Sequence, residues 1–485
     1  MLTEKSHDII EPAPSSDNVS IEKVDLENDG EIFKRGEGYE DFRTVGWIQT
    51  TIIFTKSNAI PKTLLTTALY SHLRNRCLNN SISYVHTWCF PWRDQCKNHR
   101  SALPSMHWLT RRNVQVLGWQ FINTYCAQVQ GQFRHNHAGC HSIADMGNLV
   151  GGKIVREITG ILFLVAFILV GASGIVGTST ALNALSNHSL CTNYFSIIAT
   201  VMVFVAGSPR KFEKIAWVTW AGFLSVFTAI FIVVVGVTTL ERPAAAPQTG
   251  DFDFGYHVIG HPTFAAGMVA ASTIFCSGAG TGAFLPAVNW CMGFVTAAYL
   301  TFSIVVYWYC GKWVASPSLG SAGPLIKKIA YGIGILGLMV SGALFNHVSA
   351  KYIFVRVLRD SKHLQANSFV HWGVWLGTLA AVNVVAFLIA SGVPIFNYLL
   401  SLAGSLAFAP LAVGLPGWLW IYDHKDYWKG SVVQKVLYGL HVLMIILSLF
   451  LCVGGTYGVI VQIMDAYKDG SIDSAFSCAD NSNSS

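Results

Sequence analysis

The stretch that decides the fold is Ile158-Thr-Gly-Ile-Leu-Phe-Leu-Val-Ala-Phe-Ile-Leu-Val-Gly-Ala-Ser-Gly-Ile-Val-Gly-Thr-Ser-Thr-Ala-Leu182, which contains no Asp, Glu, Lys or Arg. A helix needs about 20 such residues to cross the hydrocarbon core of a bilayer. This stretch therefore predicts a membrane-spanning helix. Further long apolar segments occupy Tyr194–Val205, Ile215–Leu240, Thr263–Val288, Trp290–Cys310, Lys328–Phe354, Val370–Ser391, Val393–Ile421 and Val436–Met464. The pattern predicts an all-α polytopic membrane protein.

The composition supports this class, since 52% of the residues are hydrophobic and only 12% are charged. Soluble domains carry about twice that charged share. Residues 1–44 are polar and acidic, so we expect a disordered cytosolic tail there. The net charge of +6 is local: residues 1–44 carry −7, residues 56–113 carry +8, and the later basic residues lie mostly between apolar segments. It therefore does not indicate binding to nucleic acid.

Charge alternates from loop to loop. Ser208–Lys214, Arg356–Lys362 and Lys425–Lys435 are basic, whereas Glu241–Pro262 and the tail after Met464 are acidic. Basic loops remain in the cytosol. We therefore expect a cytosolic N-terminus and an extracytosolic C-terminus.

The same alternation places both loops that flank Thr263–Cys310 on the outer side. This segment is then predicted to cross the membrane twice, with a turn near Pro286–Asn289. Its length is just sufficient for two helices of about 20 residues.

A glycine-rich run, Phe275-Cys-Ser-Gly-Ala-Gly-Thr-Gly-Ala-Phe284, falls within this apolar region. Each glycine weakens a helix by about 1 kcal/mol relative to alanine, and unwound backbone survives in the membrane only where protein or a water-filled cavity satisfies it. Broken helices of this kind bind substrates at the midplane. The predicted substrate-binding residues are Ser277, Gly278, Ala279, Gly280, Thr281 and Gly282. Close helix packing through small residues is the open alternative.

His347 and Lys351 lie one helical turn apart within an apolar segment, beside Asn346. Ionisable groups inside spans are functional candidates, and a histidine can carry a proton near neutral pH. His347 is thus a proton-coupling candidate, and a purely structural hydrogen bond is the alternative. His441 and Asn397 have weaker claims of the same kind.

Other motifs are less informative. Asn187-His-Ser189 is a glycosylation acceptor that the charge pattern places outside, whereas Asn18 and Asn79 match the same motif in cytosolic or undefined settings.

The eleven cysteines fit no disulfide framework. No metal site is expected, because neither cluster of potential ligands has the spacing of a known zinc site; the clusters are His135, His137, Cys140 and His141, and Cys77, Cys89, Cys96 and His99. No catalytic constellation indicates an enzyme.

Several stretches together resemble a known family. They are Gly46–Lys56, Asn123–Arg134, His141–Asp145, Arg242–Gly250, Val258–Phe264, Trp313–Gly320, Leu415–Asp423 and Ala475–Ser482. In these stretches the chain is similar to fungal neutral amino acid permeases of the methyltryptophan-resistance type, within the amino acid/auxin permease family.

The resemblance implies a LeuT-like bundle of about eleven spans with a five-plus-five inverted repeat. It also implies proton-coupled symport of neutral amino acids, aliphatic or aromatic, driven by a proton gradient without any cofactor. The substrate would bind between broken helices one and six, and the interruption of helix six falls on the glycine-rich run. The expected partners are the substrate and the lipid bilayer, with no obligate protein partner. We expect the plasma membrane, with the vacuolar membrane as the alternative.

The chain departs from the family pattern at two points. Residues 57–115 carry six arginines and cannot cross as one helix, since each costs about 2.5–3.5 kcal/mol at a helix centre. A short polar loop expected after Val288 is also missing. The predicted organisation is an acidic tail (1–44), a degraded region of helices one and two (45–131), a transporter bundle (132–465) and a short outer tail (466–485). An inactive or regulatory product of a transporter gene, mis-spliced or frameshifted, is the alternative to an active transporter.

Overall fold

The computed structural model describes residues 107–137, 139–140, 142–210, 212–255, 263–275, 285–315, 318–359, 361–364, 366–470 and 474–482. The described elements are all helical. The helices are α1 (His107–Asn136), α2 (Ile143–Ser186), α3 (Thr192–Gly207), α4 (Phe212–Thr238), α5 (Phe264–Phe275), α6 (Leu285–Cys310), α7 (Pro324–Leu358), α8 (Phe369–Gly392), α9 (Phe396–Ala403), α10 (Leu415–Asp423) and α11 (Val432–Lys468). Two π-helical turns, Gly404–Phe408 and Pro410–Gly414, connect α9 to α10.

Seven helical segments in the described part of the chain are long and apolar enough to cross a membrane. They contain α2, α4, α6, α7, α8, the α9–α10 unit and α11, and the shorter α3 is apolar as well. The predicted class, an all-α polytopic membrane protein, is confirmed. Most boundaries lie close to the predicted ones; for example, Val370–Ser391 is predicted and α8 spans Phe369–Gly392.

The turn predicted near Pro286–Asn289 is wrong, because these residues lie in the first turn of the continuous helix α6. A proline is tolerated there, since the first N–H groups of a helix have no partner within the helix. The two ends of this region do meet on one side. The Lys312 backbone N–H donates to Phe254 O at 2.9 Å, so the chain leaves and returns to the same end of the bundle.

Helix α1 runs from His107 to Asn136 and passes the predicted domain boundary at 131/132 without a break. Its inward face contains Cys126 and Phe133, which are 1% and 2% exposed. Residues 1–106 lie outside the described residues, so the predicted tail and most of the degraded region remain predictions.

The centre of the bundle is the crossing of α2 and α7, which share the most extensive contact between described helices. Glycines make this contact possible. A Cβ added to Gly174 would lie 2.5 Å from Gly342 Cα, so only glycine fits at this point. Helices α3 and α8 pack against the same pair, and aliphatic side chains of all four helices form one buried cluster. Small residues bring membrane helices together without a hydrophobic driving force.

Loops gather at two opposite ends of the bundle. At one end, Arg356 is bonded to Glu157, and His137 Nε2 lies 2.8 Å from an Asp423 carboxylate oxygen. At the other end, Trp313 Nε1 donates to Asp253 O at 2.9 Å. This grouping is the one that the charge alternation predicts from the sequence.

One interpretation of the cysteines is wrong. Cys191, immediately before α3, forms a disulfide bond with Cys478 in the carboxyl-terminal tail, although 287 residues separate them in sequence. Membrane helices bring their loops together independently of sequence distance, so spacing along the chain gives no signal for such a pair. Among the described cysteines, Cys126, Cys140, Cys310 and Cys452 are free thiols.

Candidate functional site

The predicted substrate-binding residues Ser277, Gly278, Ala279, Gly280, Thr281 and Gly282 lie outside the described residues. Their flanking helices are described: α5 ends at Phe275 and α6 begins at Leu285. On the α6 side, Gln128 of α1 donates to Asn289 Oδ1 at 2.8 Å, and Ala127 packs on Met292. Helix α1 therefore packs against the first turns of α6.

On the amino-terminal side, α5 packs against α11 and the first π-helical turn. Gly455 of α11 lies at this contact. A Cβ on Gly455 would lie 2.4 Å from Ser272 Oγ and 2.6 Å from Ser405 Cβ. The Thr456 hydroxyl donates to Ser405 Oγ at 3.3 Å. Ser272 and Ser405 are both 0% exposed. Three hydroxyl groups, those of Ser272, Ser405 and Thr456, thus lie close to the last turn of α5.

The π-helical turns are a feature that the sequence analysis does not predict within Val393–Ile421. Carbonyl oxygens in this region accept hydrogen bonds from neighbouring helices. Leu411 O, in the second turn, accepts from Gln130 Nε2 at 2.8 Å, and Ala409 O, between the two turns, accepts from Ser448 Oγ at 3.1 Å. Pro410 lacks an N–H group and so loosens the regular helical pattern. π-helical turns occur frequently at functional sites. Gly404, Pro410 and Gly414 were the available signal in the sequence.

The proton-coupling candidate His347 is 0% exposed on α7. Its Nδ1 lies 3.0 Å from Gly207 O, at the end of α3. Because a carbonyl oxygen can only accept, Nδ1 carries a hydrogen in this arrangement, and Nε2 is the nitrogen that can gain or lose a proton. The ring also contacts Trp375 of α8 edge to face, with 4.8 Å between ring centroids. His347 therefore connects α7 to α3 and α8.

A buried amide pair lies next to this histidine. Asn346 Nδ2 donates to Asn383 Oδ1 at 2.9 Å, and Asn383 Nδ2 donates to Leu379 O at 2.8 Å. Asn346 Oδ1 faces Gly171 of α2 so closely that a Cβ there would lie 1.8 Å away. The pair thus fixes the distance between α2, α7 and α8.

The weaker candidates, His441 and Asn397, have partners of their own. His441 of α11 lies flat on Trp420, with 3.8 Å between ring centroids and 4° between planes. Its Nε2 lies 2.8 Å from the Tyr125 hydroxyl. Asn397 is in the first turn of α9, and its carbonyl accepts from Ser401 Oγ at 2.8 Å. Neither set of contacts includes His347.

The histidine- and cysteine-rich loop after α1 has partners of its own. His137 pairs with Asp423, and Cys140 is 2% exposed. Burial, together with the nearby Asp145 carboxylate, raises the pKa of the Cys140 thiol, although Arg134 opposes the shift. Within the described residues no three potential ligands are grouped around a metal position; His141 and the cluster from Cys77 to His99 lie outside them. The glycosylation candidate Asn187 is exposed at the end of α2, with a left-handed backbone (φ 53°).

Comparisons with known proteins agree with the sequence resemblance. The profile of the family described as "Transmembrane amino acid transporter protein" matches residues 114–461. A "Transmembrane transporter" of Gibberella moniliformis is 42% identical over 93% of this chain and 91% of its own length. An "N amino acid transport system protein" of Neurospora crassa is 26% identical over 76% of this chain and 81% of its own length.

Solved structures give a distant likeness. A Na⁺-coupled sialic acid symporter in a substrate-bound outward-open state has a TM-score of 0.46 at 10% identity, covering 90% of this chain and 93% of its own. The nucleobase-cation-symport-1 family transporter MHP1 has a TM-score of 0.44 at 10% identity, covering 90% and 96%.

The family profile covers the region from near the start of α1 almost to the end of α11, and the Gibberella relative extends over nearly the whole chain. The LeuT-like class of bundle that the resemblance implied agrees with this assignment. The protein is a transporter and not an enzyme. The chain belongs to the transmembrane amino acid transporter protein family.

Proposed function

We propose that the chain is a proton-coupled symporter of neutral amino acids, aliphatic or aromatic, and that the proton gradient alone drives it. The observation that carries the proposal is the family match, which includes the glycine-rich run between α5 and α6. The Neurospora relative is named as an amino acid transport system protein, which agrees with an amino acid substrate. The transporter would act without a cofactor and without an obligate protein partner.

In this proposal the substrate binds at Ser277–Gly282. Backbone N–H groups at the start of α6 would face the carboxylate, because the amino-terminal end of a helix carries partial positive charge. Carbonyl oxygens of the glycine-rich run would face the ammonium group. A zwitterion satisfies both, and a substrate with a net charge does not.

The coupling proton is assigned to His347. Its Nδ1 is engaged by Gly207 O, so a change in protonation would take place at Nε2. A protonated ring buried between α3, α7 and α8 would lose its hydration, which is costly. Protonation would therefore favour a different packing of these helices, and this would couple the proton to the transport cycle.

For the orientation, we propose a cytosolic N-terminus and an extracytosolic C-terminus in the plasma membrane, with the vacuolar membrane as the alternative. The Cys191–Cys478 disulfide supports this orientation, because such bonds persist in oxidising compartments. The exposed acceptor Asn187 lies at the same end of the bundle, four residues before Cys191.

One observation favours the second candidate, an inactive or regulatory product of a transporter gene. Residues 285–310 form one helix across the point where the resemblance places a polar loop. In this second candidate, the arginine-rich segment 57–115 would not form helix one of the family. The continuous helix at 285–310 would join the end of helix six to the next helix, so the substrate site would lack both of its broken helices in their usual form. Such a product would retain the bundle and lose uptake.

Uptake of radiolabelled leucine and phenylalanine in a transport-deficient fungal host tests the proposal. We expect accumulation that an inward proton gradient raises and a protonophore abolishes. Gly280→Val should abolish uptake, whereas Gly293→Val should not, because no atom lies within 4 Å of a Cβ at Gly293. Absence of uptake despite confirmed surface expression would support the inactive product, and a chain with a restored first helix would then show whether Gly280 still matters.

A further inference from the structure

The carboxyl-terminal tail is bound to the ends of four helices. Asn183 Nδ2 of α2 donates to Asn481 Oδ1 at 2.8 Å, and the Thr192 hydroxyl of α3 donates to Ala479 O at 2.5 Å. Lys327 Nζ of α7 donates to Ser482 O at 2.6 Å. These bonds involve interior groups, since Asn183 and Ser482 are 0% and 1% exposed.

The tail reaches the fourth helix through Phe476. Its backbone N–H donates to Ser391 O at the end of α8, at 3.0 Å, and its carbonyl accepts from Asn193 Nδ2 of α3. Phe476 has a backbone φ of 60°, a value that residues other than glycine rarely adopt. Such a backbone persists only where surrounding contacts over-determine it. The tail is therefore held in one specific path.

The helices that the tail joins are the ones that form the centre of the bundle. Helices α2, α3, α7 and α8 all pack on one another, and α2, α3 and α7 contribute to one buried aliphatic cluster with the end of α8. The disulfide adds a covalent link to this set at Cys191, directly before α3. Cys478 is exposed, so a reductant in solution can reach the bond.

We propose that residues 474–482 form a strap that holds the ends of α2, α3, α7 and α8 together as one unit, and that the Cys191–Cys478 bond makes the stability of this unit sensitive to reduction. A cross-link between distant residues stabilises mainly by restricting the unfolded chain. Here it also keeps the tail beside its hydrogen-bonding partners, because a tethered segment has a high effective concentration. Reduction then weakens every contact of the strap at once.

The first test is thermal unfolding of the purified full-length protein in detergent, with and without tris(2-carboxyethyl)phosphine. We expect the reductant to lower the Tm by about 5 °C or more. The double variant Cys191→Ser/Cys478→Ser should start at this lower Tm and show no response to reductant. Cys452→Ser, which removes a free thiol of α11, should behave as the wild type.

The second test addresses the hydrogen bonds of the strap. Lys327→Gln removes the bond to Ser482 and should lower the Tm of the oxidised protein, whereas Lys328→Gln at the next position is the matched control. Hydrogen exchange should show that cleavage of the disulfide by the reductant lowers the protection of backbone amides at the strap-facing ends of α2, α3, α7 and α8. The protection of amides in the middle of α11 should not change.

These readouts do not depend on uptake, so they stand or fall separately from the proposed transport activity. An equal Tm for the wild type and the double cysteine variant would overturn the proposal. So would an equal response of both proteins to reductant, or a loss of protection spread evenly over the bundle.

Discussion

Gly174 of α2 and Gly342 of α7 touch where the two central helices cross, and a Cβ on Gly174 would lie 2.5 Å from Gly342 Cα. The contact is backbone against backbone, so no side-chain rearrangement can relieve a clash. We expect Gly174→Val to destabilise the bundle by about 3 kcal/mol, which is the upper end of the usual range for an overpacked core. The variant should also give a lower yield of folded protein in detergent. Gly373→Val on α8 is the matched control, because no atom lies within 4 Å of a Cβ there. Equal yields for both variants would contradict this packing.

The contact of Gly171 with Asn346 predicts a coupled pair. Gly171→Ala should be destabilising, because its methyl group would meet Asn346 Oδ1. Asn346→Ala should also be destabilising, since it removes the bond to Asn383. The double variant should cost less than the sum of the single variants by about 1–2 kcal/mol, because the clash disappears with the amide. Thermal unfolding of the four proteins measures this, and strict additivity would argue against the contact.

The assignment of the coupling proton to His347 predicts a specific defect. His347→Gln retains a group that can donate to Gly207 O and removes the titratable ring. We expect exchange of amino acids across the membrane to continue, whereas accumulation against a gradient and its dependence on external pH are lost. His371→Gln is the control, since this second buried histidine also bonds a backbone carbonyl, His363 O, at 2.9 Å. Accumulation that survives in His347→Gln would remove the residue from the coupling mechanism.

The exposed Asn187 predicts an N-linked glycan, provided that this end of the bundle faces the secretory lumen during synthesis. Asn187→Gln should abolish the mobility shift that endoglycosidase treatment produces. Asn79→Gln should leave that shift unchanged, because residue 79 is expected in a cytosolic or undefined setting. A shift that persists in Asn187→Gln and disappears in Asn79→Gln would reverse the proposed orientation.

The raised pKa of Cys140 predicts slow alkylation in the native protein. A raised pKa means less thiolate at a given pH, and the thiolate is the reacting species. Maleimide labelling at neutral pH should therefore be much slower in the folded protein than in the unfolded one, and its rate should continue to rise into the alkaline range. Peptide-level mass spectrometry at several pH values measures this. Equal labelling rates for the folded and unfolded protein at neutral pH would show that the Cys140 thiol is not buried and that its pKa is not raised.

Much of the fold follows from the sequence because a bilayer imposes a simple rule on each segment. The apolar run at Val370–Ser391 marks α8 to within one residue at each end, since charges and polar residues cannot remain in the hydrocarbon core. Alternating loop charges also group the ends of the helices correctly. Both signals are local, and each can be seen without knowledge of the tertiary structure.

The features that escape the sequence depend on contacts between distant segments. Cys191 and Cys478 meet only because α3 and the tail share one end of the bundle. The π-helical turns at Gly404–Gly414 depend on hydrogen-bond donors from α1 and α11. The turn expected near Pro286 is absent because proline is tolerated in the first turn of a helix as well as in a loop, and the local sequence does not distinguish the two. The glycine-rich run remains a prediction from its composition.

The link between Cys191 and Cys478 has a consequence for biosynthesis. Cys191 leaves the ribosome 287 residues before its partner, so its thiol stays unpaired while every helix from α3 to α11 is inserted. The bond can close only when translation of the last helix is complete and the helix has docked. In the proposed orientation, a chain that stops before residue 478 would present a lone thiol in the lumen, where thiol-dependent retention can distinguish it from the finished protein.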